Sequence, residues 1–335
     1  MAEAPQGTTR HDIMLSVVVP VYRSEATLPA LVERLSAVLP TLVRDYEIVL
    51  VNDGSPDNSW EVIRRLAAQA PTVRAAHLMR NFGQHNALLY GIRVARGEVI
   101  VTMDDDLQNP PEEIGKLLAG LESGHDVVYG VRQREAHGLA RDMASMITKL
   151  VLQNAMGAET ARKITAFRAF RSDLRDGFVS YSARFVSIDV LLTWSTTRFG
   201  TVIVAHEPRR LGESNYTFRK LMTHALNMVT GFSVVPLQVA SIMGFVFTLL
   251  GFVLLVTLVV LYFVRGSPVQ GFTFLGTSVA LFSGVQLLAL GIIGEYLARM
   301  HSRIMGQPSY VVREALGASA APESPQREAS GAPHG

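Results

Sequence analysis

The sequence predicts an α/β fold: a mainly parallel sheet with helices on both faces, followed by a two-helix transmembrane hairpin. Three observations predict it. Short β-branched runs alternate with helical patterns over residues 13–215, two long uncharged apolar stretches follow between 242 and 294, and acidic or polar clusters stand where the apolar runs stop. Alternation of this kind arises when crossover helices return each strand to the same end of a sheet. A helix needs only about 20 apolar residues to cross a bilayer.

The elements read in order. Leu15–Val19 is a β-branched run ended by Pro20, and Leu28, Leu31, Leu35 and Leu39 give Thr27–Leu39 helical spacing. Glu47–Val51 is a second strand, stopped by Asn52-Asp53-Gly54-Ser55, and Asp57–Ala70 is a helix with an Asx- and Ser-rich start. Val73–Leu78 and Glu98–Met103 are further strands, separated by a helix over Gln84–Ala95. In such sheets ligands bind outside the carboxyl ends of the strands. Asn52-Asp53-Gly54-Ser55 and Asp104-Asp105-Asp106 both fall at such ends.

Ile242–Val264 runs 23 residues without a charge, and Gly266–Gly294 runs 29. Arg209, Arg210, Arg219 and Lys220 precede the pair, Arg299, Arg303 and Arg313 follow it, and the turn between holds only Arg265. The positive-inside rule then expects the catalytic domain and both termini in the cytoplasm of a two-span cell-membrane protein. The polar N-terminus, Met1–Asp12, has no apolar core like that of a signal peptide. The expected organisation is a disordered start at 1–12, a catalytic domain at 13–215, juxtamembrane helices at 216–241, spans at 242–264 and 272–294, a cytoplasmic segment at 295–314 and a disordered tail at 315–335. Residues 221–241 lack acidic and basic side chains, which suits either an interfacial helix or a buried connector.

Composition removes several classes. The chain of 335 residues contains no cysteine, so disulfides, thiolate zinc sites and thiol nucleophiles are excluded. A net charge of +2 argues against nucleic acid as a partner. The histidines at 77, 85, 125, 137, 206, 224 and 301 have no zinc-like grouping and read as surface or packing residues.

The chemistry concentrates at Asp104-Asp105-Asp106-Leu107-Gln108. Adjacent carboxylates repel one another, and a hard divalent ion shared with substrate phosphates offsets that repulsion. In an extended segment Asp104, Asp106 and Gln108 share one side and Asp105 points away. An acidic surface turn is the plainer alternative. Asp53 can accept hydrogen bonds from a base or ribose, or it can serve the turn alone. Arg132, Arg134 and Arg141 form one basic cluster and Arg209, Arg210, Arg219 and Lys220 another; guanidiniums can bind phosphate bidentately, and juxtamembrane cations such as Arg219 and Lys220 can equally hold anionic lipid without specificity.

These residues resemble the family 2 glycosyltransferases of GT-A fold. More narrowly they resemble the polyprenyl-phosphate glycosyltransferases, similar to dolichol-phosphate mannose synthase and the bacterial undecaprenyl-phosphate enzymes. The stretches that carry the likeness are Ser16–Tyr22, Val51–Asp57, Arg80-Asn81-Phe82-Gly83, Asp104–Glu112 and Arg210–Tyr216. The resemblance implies transfer of a sugar, with inversion, from a UDP- or GDP-linked donor to a polyprenyl phosphate. It implies that Pro20, Tyr22, Asp53 and Asp104 line the nucleotide pocket. It implies that Asp104, Asp106 and Gln108 hold Mg²⁺ or Mn²⁺. Asp106, Arg132 and Arg210 would be the catalytic groups, and Arg132, Arg134, Arg210 and Ser214 would meet the acceptor phosphate. The implied partners are the donor, the lipid phosphate and the bilayer; a homo-oligomer is compatible with the sequence. A processive polysaccharide synthase is the alternative enzyme, but the chain has no Gln-x-x-Arg-Trp motif. A non-catalytic membrane scaffold on a degenerate transferase fold is the other.

One stretch departs from that pattern. Where many bacterial relatives carry Gly-Asp-Phe-Arg, this chain has Thr165-Ala166-Phe167-Arg168. A phosphate monoester, with a second pKa of about 6, is already anionic and needs no enzyme base. The missing acid is then expected to have read a sugar hydroxyl. Its loss points to a deoxygenated or otherwise modified donor sugar, unless Thr165 or Arg168 takes over the contact.

Overall fold

The computed structural model describes residues 10–132, 164–183, 186–207, 235–265 and 272–317. The chain divides into two units, residues 1–216 with 306–335, and residues 217–305.

The first unit is built on one sheet of eight strands among the described residues. They are β1 (His11–Val21), β2 (Val43–Asn52), β3 (Val73–Leu78), β4 (Val99–Thr102), β5 (Val127–Arg132), β6 (Arg168–Arg171), β7 (Phe199–Val204) and β8 (Val312–Leu316), in the spatial order β7-β5-β6-β4-β1-β2-β3-β8. β4, β1, β2 and β3 are parallel neighbours, whereas β6 runs antiparallel between β4 and β5 and β8 runs antiparallel beside β3. The expected parallel core is therefore present, with reversed strands inserted on one side and added at the other edge.

Helices α1 (Leu28–Leu42), α2 (Ser59–Gln69), α3 (Gln84–Val94), α4 (Ile114–Glu122) and α5 (Ile188–Ser195) cover the sheet. The period of two along β1 divides them. Leu15, Val17, Val19 and Val21 join Leu31 and Leu35 of α1, Ile63 of α2 and Leu117 of α4 in one core. Val18 points to the other face, where α3 comes so close at Gly91 that a Cβ there would collide with it. Burial on both faces accounts for the nearly continuous apolar runs of the central strands.

The second unit contains α6 (Val235–Arg265) and α7 (Phe272–Ile304). They pack on one another through Phe247 and Phe282, whose rings meet edge to face with centroids 6.3 Å apart. Among the described residues no helix is long and apolar enough to cross a membrane. Side chains at several positions of both helices lie outside the described residues, so the transmembrane reading rests on the uninterrupted sequence. Several boundaries differ from the sequence reading, and α6 begins at Val235 rather than at 242. α7 continues past 294 to Ile304, and Val312–Leu316, expected to straddle a cytoplasmic segment and a disordered tail, is an edge strand. Pairing with β3, from Ala75↔Leu316 to Leu78↔Val312, supplies the hydrogen bonds that five mixed residues have no local reason to seek. Of the juxtamembrane helices expected at 216–241, residues 216–234 lie outside the described residues, and 235–241 form the first turns of α6.

Candidate active site

The strand order puts the carboxyl ends of β4, β1 and β2 side by side, and hydrogen bonds lock their loops together. The Asp53 amide donates to Val21 O at 2.9 Å, and the Met103 amide donates to Val18 O at 3.2 Å. Pro20 is buried in β1 opposite Val51. Its missing N–H does no harm toward β4, whose last pairing with β1 is Val18↔Thr102. Tyr22 emerges just beyond, 42% exposed. Arg23 follows in the left-handed region at φ 58°, a strained conformation for a non-glycine residue, and its amide donates to Ser55 Oγ at 2.7 Å.

The carboxylate of Asp53 has a specific occupation. It is 2% exposed, and its two oxygens accept the amides of Phe82 at 2.7 Å and Gly83 at 2.8 Å. Burial raises its pKa, against the pull of those amides and of the Arg80 charge. Asp53 thus holds the Arg80–Gly83 loop against the β2 end. The turn itself is made by Asn52, whose side-chain oxygen accepts the Ser55 amide at 3.0 Å. Gly54 is needed where the two loops touch: its φ is +60°, and a Cβ would stand 2.6 Å from Asn81 N.

The acidic stretch is a turn, not the extended segment that alternation would give. β4 ends at Thr102, and Asp106 bends the chain by accepting the Gln108 amide at 3.2 Å, with Leu107 between them at φ 60°. The three carboxylates separate. Asp104 accepts from Gln84 Nε2 at 2.6 Å, at the start of α3. Asp106 accepts from Gln108 Nε2 at 2.6 Å. Asp105 points away from both, toward β1, and accepts the Tyr22 amide at 3.1 Å together with the Ser24 hydroxyl. Burial pushes the Asp105 carboxyl up to about 6, opposed by those two donors and assisted by the neighbouring Asp106.

Asp104, Asp106 and Gln108 carry carboxylate and amide oxygens, the donor class that hard divalent ions take. Amide oxygen and nitrogen are nearly isosteric, so a half-turn of the Gln108 carboxamide presents its oxygen instead of its nitrogen. Among the described residues no three His, Asp or Glu side chains converge into a metal cluster.

Arg132 ends β5, exposed at the same edge of the sheet. Arg134, Arg210 and Ser214 lie outside the described residues. The structure adds groups that the sequence did not single out. Gln84 is bound to Asp104. His206, two residues beyond β7, is half-buried and comes under the charges of Arg132 and Asp106. Arg34 on α1 ties Glu112 at 2.7 Å to Glu207 at 3.0 Å.

Thr165-Ala166-Phe167-Arg168 enters β6 beside the end of β4, with Thr102 opposite Arg168 and the Thr102 hydroxyl donating to Ala166 O at 2.8 Å. Neither neighbour is free to replace a lost acid. The Thr165 hydroxyl is bonded to Gly130 O at 2.8 Å and Phe167 O at 2.9 Å. Arg168 is 1% exposed, ion-paired with Asp189 and bonded to Thr102 Oγ1 at 3.0 Å, while the Tyr129 hydroxyl donates to the same Asp189 at 2.9 Å. Arg168 therefore serves the core.

A mostly parallel sheet, with the Asp53 and Asp104–Asp106 loops at the carboxyl ends of its strands, is an α/β fold of the GT-A kind. The family model for glycosyl transferase family 2 matches residues 16–179. The undecaprenyl-phosphate 4-deoxy-4-formamido-L-arabinose transferase of Yersinia enterocolitica is 36% identical over 308 residues, 91% of this chain and 94% of that protein. The like-named transferase of Aeromonas hydrophila is 34% identical over 318 residues, 94% of this chain and 98% of that protein. A glucosyl-3-phosphoglycerate synthase from Mycobacterium tuberculosis, solved with Mn²⁺, uridine-diphosphate-glucose and phosphoglyceric acid, superposes with a TM-score of 0.49 at 17% identity, covering 65% of this chain and 78% of that one. The chain belongs to the family 2 glycosyltransferases and, within them, to the polyprenyl-phosphate glycosyltransferases.

Proposed function

We propose that the protein transfers a sugar, with inversion, from a UDP- or GDP-linked donor to an undecaprenyl-type phosphate at the cytoplasmic membrane face. The observation that carries this reading is the separation of the acidic triplet. Asp104, Asp106 and Gln108 all belong to the turn after β4, Asp104 accepting from Gln84 and Asp106 from Gln108, while Asp105 alone turns to the Tyr22 amide and the Ser24 hydroxyl.

In this reading Pro20, Tyr22 and Asp53 line the nucleotide pocket. Each Asp53 oxygen keeps a second lone pair after bonding Phe82 and Gly83. Asp104, Asp106 and Gln108 would hold Mg²⁺ or Mn²⁺, which when bound neutralises charge on the leaving diphosphate as a Lewis acid. Arg132 and Arg210, with Arg134 and Ser214, bind the acceptor phosphate and set one of its oxygens behind the anomeric carbon. That oxygen forms the new C–O bond as the bond to the diphosphate breaks, and the nucleoside diphosphate leaves with the electron pair. The attacking oxygen is already anionic, so no proton has to be removed by the protein.

The donor is proposed to be a deoxygenated or amino-modified sugar. Ala166 offers a methyl group where the Gly-Asp-Phe-Arg pattern of the family resemblance would put an acid, and Thr165 and Arg168 are otherwise engaged. The sugar in the names of the two relatives lacks a hydroxyl at C4 and carries a formamido group there.

Two spans are proposed to keep this site at the lipid surface. Ile242–Val264 is uncharged in sequence, and a 31-residue α6 extends about 46 Å at ~1.5 Å per residue, more than a bilayer core of about 30 Å. Phe245, Phe252, Phe263 and Leu287 are 71%, 60%, 80% and 67% exposed, an apolar surface suited to lipid rather than water.

The test is purified protein offered a panel of nucleotide sugars with undecaprenyl phosphate, with lipid products identified by mass. A glycosyl-phospholipid from at least one donor is expected. Absence of lipid product from the whole panel, with the protein folded, would overturn the reading.

A further inference from the structure

We propose that His206 is a further substrate-binding residue of this transferase, its imidazole donating a hydrogen bond to a phosphate oxygen of the lipid acceptor. The inference rests on the reading above and names a residue it leaves out.

Sheet register brings the segment to the site. β7 runs parallel to β5 with Arg132 opposite Val204, so residues leaving β7 pass the end of β5 where Arg132 stands. The chain is then pinned on both sides of His206. The Ala205 amide donates to Glu113 Oε2 at 2.9 Å, and the Glu207 amide donates to Gln108 O at 2.9 Å. The Glu207 carboxylate receives Arg34, which also grips Glu112. A residue only two positions past a strand is thereby fixed against the loop that contains Asp106.

The charges acting on the half-buried imidazole are Arg132 and Asp106. These are the residues assigned above to the acceptor phosphate and to the leaving diphosphate, so His206 lies where the two reacting groups must meet. An imidazole presents an N–H donor in either protonation state.

The test uses full-length protein in detergent, with steady-state kinetics for wild type, His206→Ala and His206→Asn, each substrate varied in turn. Thermal midpoint and Mn²⁺-dependent binding of the free nucleoside diphosphate are measured alongside. His206→Ala is expected to raise KM for the lipid phosphate about tenfold or more, the scale of a lost hydrogen bond to a charged group. Its thermal midpoint, donor KM and nucleotide affinity should stay at wild-type values, and His206→Asn, which keeps an N–H donor, should recover most of the loss. An unchanged acceptor KM, a rise confined to donor KM, a lowered midpoint, or an Asn variant no better than Ala overturns the role of His206 while wild-type transfer stands. No transfer by wild type from any donor overturns the transferase reading and this inference together.

Discussion

Ser24 donates its hydroxyl to the carboxylate of Asp105. One residue begins the run into α1, the other belongs to the acidic loop after β4, and the Tyr22 amide joins them at 3.1 Å. Asp105 is thus the pin that keeps the loop after β1 beside the acidic loop after β4. Ser24→Ala should lower stability by about 1.5–3 kcal/mol, the usual range for a hydrogen bond to a charged group. It should also raise donor KM, because Tyr22 loses its fixed position. Thermal unfolding followed by fluorescence, with donor saturation curves, checks both; a variant that matches wild type in each removes the pin.

Arg168 stands fully buried against Asp189 and Tyr129. Removing one member of a buried pair leaves an uncompensated charge and is strongly destabilising, by about 3–5 kcal/mol. Arg168→Met should therefore unfold at a clearly lower temperature, and Arg168→Met with Asp189→Leu should regain part of the difference. A single variant with normal stability and no activity would instead assign Arg168 to the reaction.

These two sites also show what the sequence makes legible. The interiors of β1 and β2 are readable because Leu15–Val19 and Ile48–Val51 are buried on both faces and leave continuous apolar runs. Their polar starts, His11-Asp12 and Arg44-Asp45, are not readable, since only pairing of one strand with the other extends them. β6, Arg-Ala-Phe-Arg, has no strand signature because its inward arginine is neutralised by Asp189, 21 positions away. In the site, the acidic triplet announces itself by composition and position. The tie between Asp53 and the Phe82–Gly83 backbone does not, and neither does His206, which reaches the site only through the register of β7 on β5.

Ala166 gives a prediction about specificity. A site built to bond a hydroxyl discriminates strongly against donors that lack it, because its polar groups are left unpaired. With alanine there, the wild type should favour a deoxygenated or amino-modified donor over plain glucose or mannose. Ala166→Asp should shift that preference toward the hydroxylated sugars. Competition between donors, scored by the mass of the lipid product, decides it. Equal stimulation of every donor by the substitution would make the acid a general catalytic group instead.

The basic residues at both ends of the hairpin predict its orientation. A cysteine placed at Ser267, in a chain that has none of its own, should react in intact cells with an impermeant thiol reagent. Cysteines placed near either terminus should be protected until the membrane is opened. Labelling of the termini with protection at 267 would reverse the topology.

In the proposed mechanism Asp104 and Asp106 hold a divalent ion on the diphosphate while a lipid phosphate attacks the sugar. This mechanism is tested most directly by the initial rate of glycosyl-phospholipid formation with Mn²⁺, with Mg²⁺, and after chelation, in wild type and Asp106→Asn at matched thermal stability. The expected result is product in wild type with a divalent ion, none after chelation, recovery on adding the ion back, and a loss of roughly a hundredfold or more in Asp106→Asn, as for removal of an electrostatic transition-state contact. Full activity in chelator, or in Asp106→Asn, would contradict it.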